Sequence, residues 1–180
     1  MVAQAKEVGP NRYRESYGRY FEDFTVGDVY EHRPGRTISE ADNTWFTLLT
    51  MNQHPVHFDF NYAKGQMFGK PLVNSAFTLA LVAGMTVQDT SLNTIANLGW
   101  EEIKIPNPVF IGDTIYAETE ILGKRESKSR PDAGIVSFRQ TGYNQDNKVV
   151  MTYKRSSLAK RRGYDEGKLP QFGTLEEPGS

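Results

Sequence analysis

The order of apolar and polar positions in the first half of the chain predicts one strand and one helix. Residues 28–39, DVYEHRPGRTIS, predict an edge strand, because Pro34 cannot donate a hydrogen bond within a sheet. The stretch SEADNTWFTLLTMN then predicts a helix that Ser39 can cap at its start. Apolar and amide side chains recur along it at helical spacing: Trp45, Leu48, Leu49 and Asn52.

The second half predicts a buried helix followed by a sheet. Residues 74–87, NSAFTLALVAGMTV, are apolar on nearly every side, which is typical of a helix buried on most sides, and Gly84 predicts close packing. Four strand-like runs follow: TIANLGWEEIKI, DTIYAETEIL, GIVSFRQTGYN and KVVMTYKRSSLAKR. An antiparallel sheet wrapped around one buried helix is the hot-dog arrangement, an α+β fold. Such a curved sheet leaves an open edge, so we expect a homodimer or a larger assembly of dimers.

The domain boundaries follow from the same pattern. Residues 18–162 predict the single hot-dog domain. Residues 1–17 are polar without an apolar period, and residues 163–180 collect glycine, proline and charge. Both ends are therefore interpreted as extensions, of which the second either stays mobile or lies over a partner subunit.

Composition narrows the classes of function. With 24% charged and 38% apolar residues, the 180-residue chain is typical of a globular protein in water. A net charge of −1 argues against attraction to nucleic acid or to an anionic membrane. The absence of cysteine excludes disulfide and thiolate chemistry. Because no apolar run is long enough for a membrane span or a signal peptide, we expect a cytoplasmic enzyme or binding protein.

Candidate chemistry is concentrated in residues 50–60, TMNQHPVHFDF, which hold two of the three histidines. A histidine pair in a polar loop is most often surface decoration. A metal site needs about three or four convergent ligands, and no others occur here at a usual spacing, so no metal is expected. The third histidine, His32, is expected to be an exposed strand residue.

Four stretches together resemble a known family: GRYFEDFTVGD, NQHPVHFDFNYA, FGKPLVNSAFTLAL and IPNPVFIGDTIYAETEI. In this order they resemble the MaoC-like acyl-CoA dehydratases and hydratases, hot-dog proteins that add or remove water at an enoyl thioester. The resemblance covers roughly residues 18 to 162. The chain departs from the family's Asp-x-Asn-Pro-aliphatic-His motif, because Asn52 replaces the acidic residue and His54 replaces the asparagine.

The resemblance implies a role for each residue of this motif. His57 is the expected general base and acid, since imidazole changes charge near neutral pH. Asn52 is expected to orient water by hydrogen bonds, because an amide is not a useful proton acceptor. Asp59 is a candidate partner for a histidine, and His54 is expected mainly to shape the turn.

The resemblance also implies an oxyanion hole at the start of the buried helix. The stretch KPLVNS matches the family's turn, with Asn74 at its histidine and the backbone N–H of Ser75 at its donor position. Free N–H groups and the helix dipole favour an oxyanion there. Plain capping of the helix by Asn74 or Ser75 is the alternative, and both roles can hold together.

A CoA thioester carries phosphates, so a local basic cluster is expected. Arg125, Lys128 and Arg130 in GKRESKSRPDAG are candidate phosphate ligands, although a basic loop is usually only solvated. CoA would arrive as part of the substrate, and no separate cofactor is expected. Asn52 together with ESKSRP resembles the branch acting on itaconyl-CoA or mesaconyl-CoA. Arg36 is a candidate for the distal carboxylate, or else an ordinary exposed arginine.

Two other functions stay open beside the hydro-lyase. A hot-dog thioesterase generally carries a carboxylate on its buried helix, and none lies between Asn74 and Val87. A non-catalytic acyl-CoA-binding protein would have the same fold and lack the acidic residue, as this chain does at Asn52.

Overall fold

Seven strands and three α-helices make up the part of the chain that the computed structural model describes, residues 4–165. The strands are β1 (Gln4–Gly9), β2 (Arg12–Ser16), β3 (Val29–Thr37), β4 (Thr94–Lys104), β5 (Thr114–Glu126), β6 (Ala133–Tyr143) and β7 (Val149–Lys160). The helices are α1 (Glu40–Leu49), α2 (Phe60–Lys64) and α3 (Ser75–Met85). A 3₁₀ turn spans Pro55–His57, and a π turn, Val87–Ser91, follows α3.

The main sheet has five antiparallel strands in the order β3-β5-β6-β7-β4. Its inner face packs on α3, and alternate residues of β5 such as Ile115 and Ile121 are buried there. The sheet approaches α3 closely at Gly142, where an added Cβ would lie 2.6 Å from a methyl group of Val82 on α3. This confirms the predicted hot-dog arrangement and the α+β class. The predicted edge position of β3 is also confirmed, and its register with β5 breaks between His32 and Arg36, around Pro34.

The hairpin of β1 and β2 forms a separate two-stranded sheet within the predicted N-terminal extension. Its strands were not foreseen, because this stretch lacks an alternating apolar pattern. Most of the predicted C-terminal tail, residues 166–180, lies outside the described residues.

The prediction that α3 is buried on most sides is wrong for the single chain. Thr78 and Val82 are buried, but the side that carries Ala76, Ala80 and Gly84 is exposed. A Cβ added at Gly84 would meet nothing within 4 Å, so this glycine does not mark close packing within the chain.

Helix α1 also presents an unexpected face to the core. Ser39 caps it as predicted, accepting a hydrogen bond from the N–H of Asp42 at 3.2 Å. Its buried residues are the polar Asn43 and Thr47, whereas Trp45 is 69% and Leu49 is 75% exposed. The apolar positions that the sequence places at helical spacing therefore face away from the core of this chain.

His32 is not the exposed strand residue that the sequence indicates. Its side chain is buried, and its Nε2 lies 2.8 Å from the hydroxyl of Thr119 on β5. Burial, reinforced by the nearby charges of Arg19 and Arg33, lowers the pKa of His32 to about 4. The imidazole is therefore neutral at pH 7 and forms part of the core beneath β3.

Candidate active site

His57 ends the 3₁₀ turn and is held in one tautomer. The ring is buried, and its Nδ1 lies 2.8 Å from the carbonyl oxygen of Leu72. Because a carbonyl can only accept, Nδ1 must carry the hydrogen and donate it. In the neutral ring Nε2 then has a free lone pair, which is the form that a general base requires.

Asn43 of α1 joins the segments that make up the site. Its Nδ2 donates to the carbonyl of His57 at 2.8 Å and to the carbonyl of Leu72 at 3.2 Å. Its Oδ1 accepts the backbone N–H of Asn74 at 2.9 Å. Since the side chain is fully buried, these hydrogen bonds fix the turn that carries His57 against the start of α3.

The start of α3 offers the donor that an oxyanion needs. Asn74 is buried, its Oδ1 accepts the N–H of Ala76 at 3.0 Å, and its Nδ2 donates to Thr47 at 3.2 Å. Within residues 4–165 the N–H of Ser75 has no hydrogen-bond acceptor. Helix capping by Asn74 is thus present, and Ser75 stays the candidate oxyanion donor.

Asn52 lies at the start of the loop that leads to His57. Its backbone N–H donates to Thr47 at 3.0 Å, and its Oδ1 accepts the N–H of His54 at 3.0 Å. Among the described residues its Nδ2 has no acceptor, so this donor is available to water or substrate. The structure connects Asn52 to His57 through His54 rather than by a direct hydrogen bond.

His54 shapes the turn, as predicted, and also lies beside His57. Its Nδ1 accepts the N–H of Val56 at 3.2 Å, which caps the 3₁₀ turn. Its ring centroid is 5.9 Å from that of His57 and 6.3 Å from that of Tyr62. No sequence pattern indicates that the two imidazoles lie side by side, because their distance depends on the one-turn helix that joins them.

Asp59 does not pair with His57, so that prediction is wrong. Its carboxylate accepts the N–H of Tyr62 at 2.9 Å and caps α2. The partner of the His57 ring is the Leu72 carbonyl, which no sequence motif distinguishes from other backbone groups.

Two of the three arginine candidates, Arg36 and Arg130, already pair with carboxylates. Arg36 donates to the carboxylate of Asp42 at 2.8 Å. Although burial opposes the shift, hydrogen bonds from Ser39 and the charge of Arg36 lower the pKa of Asp42. Arg130 makes two hydrogen bonds to Asp132, at 3.0 and 2.9 Å.

The basic loop lies at the far end of the sheet from His57 in the same chain. Arg125 and Lys128 are exposed there, next to Arg130. The start of β5 follows Phe110, which pairs with Leu72 beside the site, whereas the loop follows its last residue, Glu126. The thirteen residues of β5 extend over about 40 Å, so one chain does not bring this loop and His57 together.

Two buried polar residues of the site, Asn43 and Thr47, escaped the sequence reasoning. Their four-residue spacing on α1 places both on one helix face, and this spacing is the sequence feature that could have identified them. The apolar residues between them pointed to a different face, because apolar side chains are normally expected in the core.

The residues from 4 to 165 contain no group of three His, Asp or Glu side chains placed to hold a metal ion. Within the same residues no helix is long and apolar enough to cross a membrane.

Comparison with known proteins finds named relatives of this chain. A mesaconyl-CoA hydratase from Cereibacter sphaeroides is 34% identical over 145 residues, which cover 81% of this chain and 42% of the relative. A β-methylmalyl-CoA dehydratase from Chloroflexus aurantiacus is 32% identical over 145 residues, which cover 81% of this chain and 41% of the relative. This chain therefore spans about half the length, or slightly less, of the curated relatives it matches.

A solved structure with two hot-dog units shows the fold of this chain. A conserved hypothetical protein from Mycobacterium tuberculosis with a double hot-dog fold superposes with a TM-score of 0.74 at 20% identity. The match covers 87% of this chain and 46% of that one, as a single hot-dog unit matched to a double one would. By fold and motif the chain is a hot-dog protein of the MaoC-like class. Within that class it belongs to the mesaconyl-CoA hydratase family, whose model matches residues 10–171.

Proposed function

We propose that the protein is a hydro-lyase that adds water to, or removes it from, a small dicarboxylic enoyl-CoA such as mesaconyl-CoA. The observation that carries this proposal is the His57 ring, whose Nδ1–H is committed to the Leu72 carbonyl so that Nε2 is a base. It lies in a turn that Asn43 ties to the start of α3 and the free N–H of Ser75. The names of two relatives, a mesaconyl-CoA hydratase and a β-methylmalyl-CoA dehydratase, support the substrate class.

The proposed hydration uses these groups in sequence. His57 Nε2 takes a proton from water while the water oxygen bonds to the β carbon of the enoyl thioester. Negative charge then develops on the thioester oxygen, where the Ser75 N–H and the positive end of α3 stabilise it. The imidazolium returns the proton to the α carbon, which restores neutral His57. Dehydration is the same path in reverse.

A second copy of the chain is part of this proposal. Exposed apolar side chains lie on α1 and along β4, at the edge of the main sheet: Trp45, Leu48, Leu49, Leu98, Trp100 and Ile103. The side of α3 that carries Ala76, Ala80 and Gly84 is exposed as well. Pairing of two copies through β4 would bury these surfaces and would mimic a double hot-dog unit.

Pairing of β4 with its own copy would also give the basic loop a function. Residues Thr94, Ala159, Gly134 and Glu126 form one row across the sheet, so the start of β4 lies at the same end as the basic loop. Lys104 ends β4 at the opposite end, towards the start of β5. An antiparallel pair of β4 strands therefore brings the loop end of one copy towards the His57 end of the other. Arg125, Lys128 and Arg130 would then reach CoA phosphates bound to the partner copy.

The test uses mesaconyl-CoA and crotonyl-CoA with the wild-type chain and His57→Asn. We chose asparagine because its amide can still donate to the Leu72 carbonyl while the base at Nε2 is lost. Loss of the enoyl absorbance without release of thiol is expected for the wild type, with kcat lower by about 10²- to 10⁴-fold in the variant. Gln53→Ala, in the same exposed loop, is the control and should keep its rate. Full activity of a folded His57→Asn would exclude the mechanism, and thiol release would identify a thioesterase.

A further inference from the structure

The two imidazoles of the site have complementary hydrogen-bonding forms. The Nδ1–H of His57 donates to a carbonyl, which leaves its Nε2 as an acceptor. Nδ1 of His54 accepts the N–H of Val56, so the hydrogen of this neutral ring must be on Nε2. The ring centroids are 5.9 Å apart, with 60° between the ring planes. The proton acceptor of His57 and the proton donor of His54 therefore lie side by side. The family resemblance gives a role in proton transfer only to His57.

The Nε2–H of His54 is free to serve a ligand. The ring is exposed, and in residues 4–165 it makes no ion pair with a carboxylate. The nearest carboxylate along the chain, Asp59, accepts the N–H of Tyr62 instead. Asn52 replaces the acidic residue of the motif and binds the His54 backbone N–H, so the loop offers an amide where a carboxylate would repel an anion.

The proposed substrate carries an anion that would lie close to the Nε2–H of His54. This inference rests on the proposed function. In an unsaturated dicarboxylic thioester with a four-carbon main chain, such as mesaconyl-CoA, the free carboxylate is bonded to the β carbon, the atom that water attacks. A water held by His57 lies about 3 Å from Nε2 and about 3–3.5 Å from that carbon before reaction. The carboxyl carbon is one C–C bond, about 1.5 Å, further on, which places it within about 8 Å of His57 Nε2. The His54 ring, whose centroid is 5.9 Å from that of His57, lies within the same range.

We propose that His54 binds the β-carbon carboxylate of the substrate through its Nε2–H and so selects dicarboxylic over simple enoyl thioesters. The hydrogen bond to a charged group contributes about ten- to hundredfold in affinity or rate. Crotonyl-CoA, which has a methyl group in place of this carboxylate, gains nothing from His54. Selectivity then comes from the residue that replaces the asparagine of the MaoC-like motif.

The test compares His54→Asn and His54→Asp. Both side chains keep an oxygen that can cap the N–H of Val56, so the 3₁₀ turn is retained in each. The readout is the ratio of kcat/KM for mesaconyl-CoA to that for crotonyl-CoA, with crotonyl-CoA as the internal reference. We expect this ratio to fall about tenfold in His54→Asn and about a hundredfold in His54→Asp, because the aspartate also repels the substrate carboxylate.

A binding measurement makes the inference independent of turnover. Calorimetric titration with succinyl-CoA and butyryl-CoA compares saturated ligands with and without the carboxylate. The wild type should prefer succinyl-CoA, and His54→Asp should lose that preference. Equal losses for both ligands, or an unchanged preference, would overturn the proposal and leave His54 as a turn residue. Absence of water addition by the wild type would instead refute the proposed function, and the titration would still decide the role of His54.

Discussion

At the scale of single residues, Asn43 is the side chain that joins the segments of the candidate site. It makes three hydrogen bonds to backbone groups of three separate residues, His57, Leu72 and Asn74, and none of its surface is exposed. Removal of the Asn43 side chain leaves these buried backbone groups without hydrogen-bond partners. The loss of stability should therefore exceed that for an ordinary helix residue.

We expect Asn43→Ala to lower the free energy of unfolding by about 2–4 kcal/mol, because buried carbonyl and N–H groups lose their partners. Asn43→Asp should be at least as damaging, since a carboxylate would face the carbonyl oxygens of His57 and Leu72. Urea unfolding followed by fluorescence measures both variants. Glu40→Gln, at an exposed position in the first turn of the same helix, serves as the control and should change stability by less than about 0.5 kcal/mol. A loss below about 1 kcal/mol in Asn43→Ala would contradict the role given to this residue.

Residue positions in the site were predictable from the sequence only where a motif contained them. The position of His57 follows from the spacing of Pro55, Val56 and His57, and the start of α3 follows from Asn74. The tautomers of the two imidazoles depend on the Leu72 carbonyl and the Val56 N–H, which are backbone groups without a sequence signature. The two tautomers can therefore be assigned only from the folded structure.

At the scale of elements, the strands were the most predictable part because alternation is a local property. The runs predicted after α3 correspond to β4, β5, β6 and β7, and Ser39 and Asn74 cap the helices that they were expected to cap. The buried faces of α1 and α3 were not predictable. An apolar side chain indicates that a face will be covered, but not whether the cover is the same chain or another copy.

The attachment of β3 at the sheet edge depends on buried polar groups. His32 contacts Thr119, and the amide of Gln140 donates to the same threonine at 3.2 Å and to Thr86 beyond α3 at 2.7 Å. Asp89 lies 3.7 Å from Nδ1 of His32 and is paired with Arg19. Protonation of His32 would place a positive charge among these buried polar groups.

Stability should therefore decrease in mild acid. An unfolded histidine binds its proton near pH 6.5, whereas burial and two arginines lower the pKa of folded His32 to about 4. Between these values the unfolded chain binds more protons, so each pH unit below 6.5 costs up to about 1.4 kcal/mol of stability. His32→Gln should flatten the loss between pH 6.5 and 4 in urea unfolding at a series of pH values. An unchanged slope would show that another group is responsible.

At the scale of the whole molecule, the open edge at β4 is where we propose that two copies pair. Register shifts interrupt its pairing with β7 at three places, and Gly99 and Glu102 have positive φ angles. Such bulges deter pairing with arbitrary strands, so a partner must match the edge in detail. In the proposed two-fold pair, the same irregular edge would face itself from both copies.

We expect Leu98→Glu to convert a dimer into monomers, because two like charges would face each other close to the symmetry axis. Light scattering coupled to size-exclusion chromatography measures the mass. Val26→Glu, at an exposed apolar position away from β4 and α1, is the control and should remain dimeric. Hydratase activity should fall with the dimer if the basic loop serves the partner copy. A monomeric wild type would refute the pairing of β4.

When β4 pairs with β4 of a second copy, each substitution on the strand is present on both sides of the interface. If Leu98→Glu and Leu98→Lys each prevent self-pairing, mixing the two chains would join opposite charges and restore assembly only between unlike partners. One partner could then carry His57→Asn and the other an altered basic loop. Such a pair would contain one site with its base and one without, each facing a different loop. Counting active sites in that mixed particle would reveal which chain supplies which half of the chemistry.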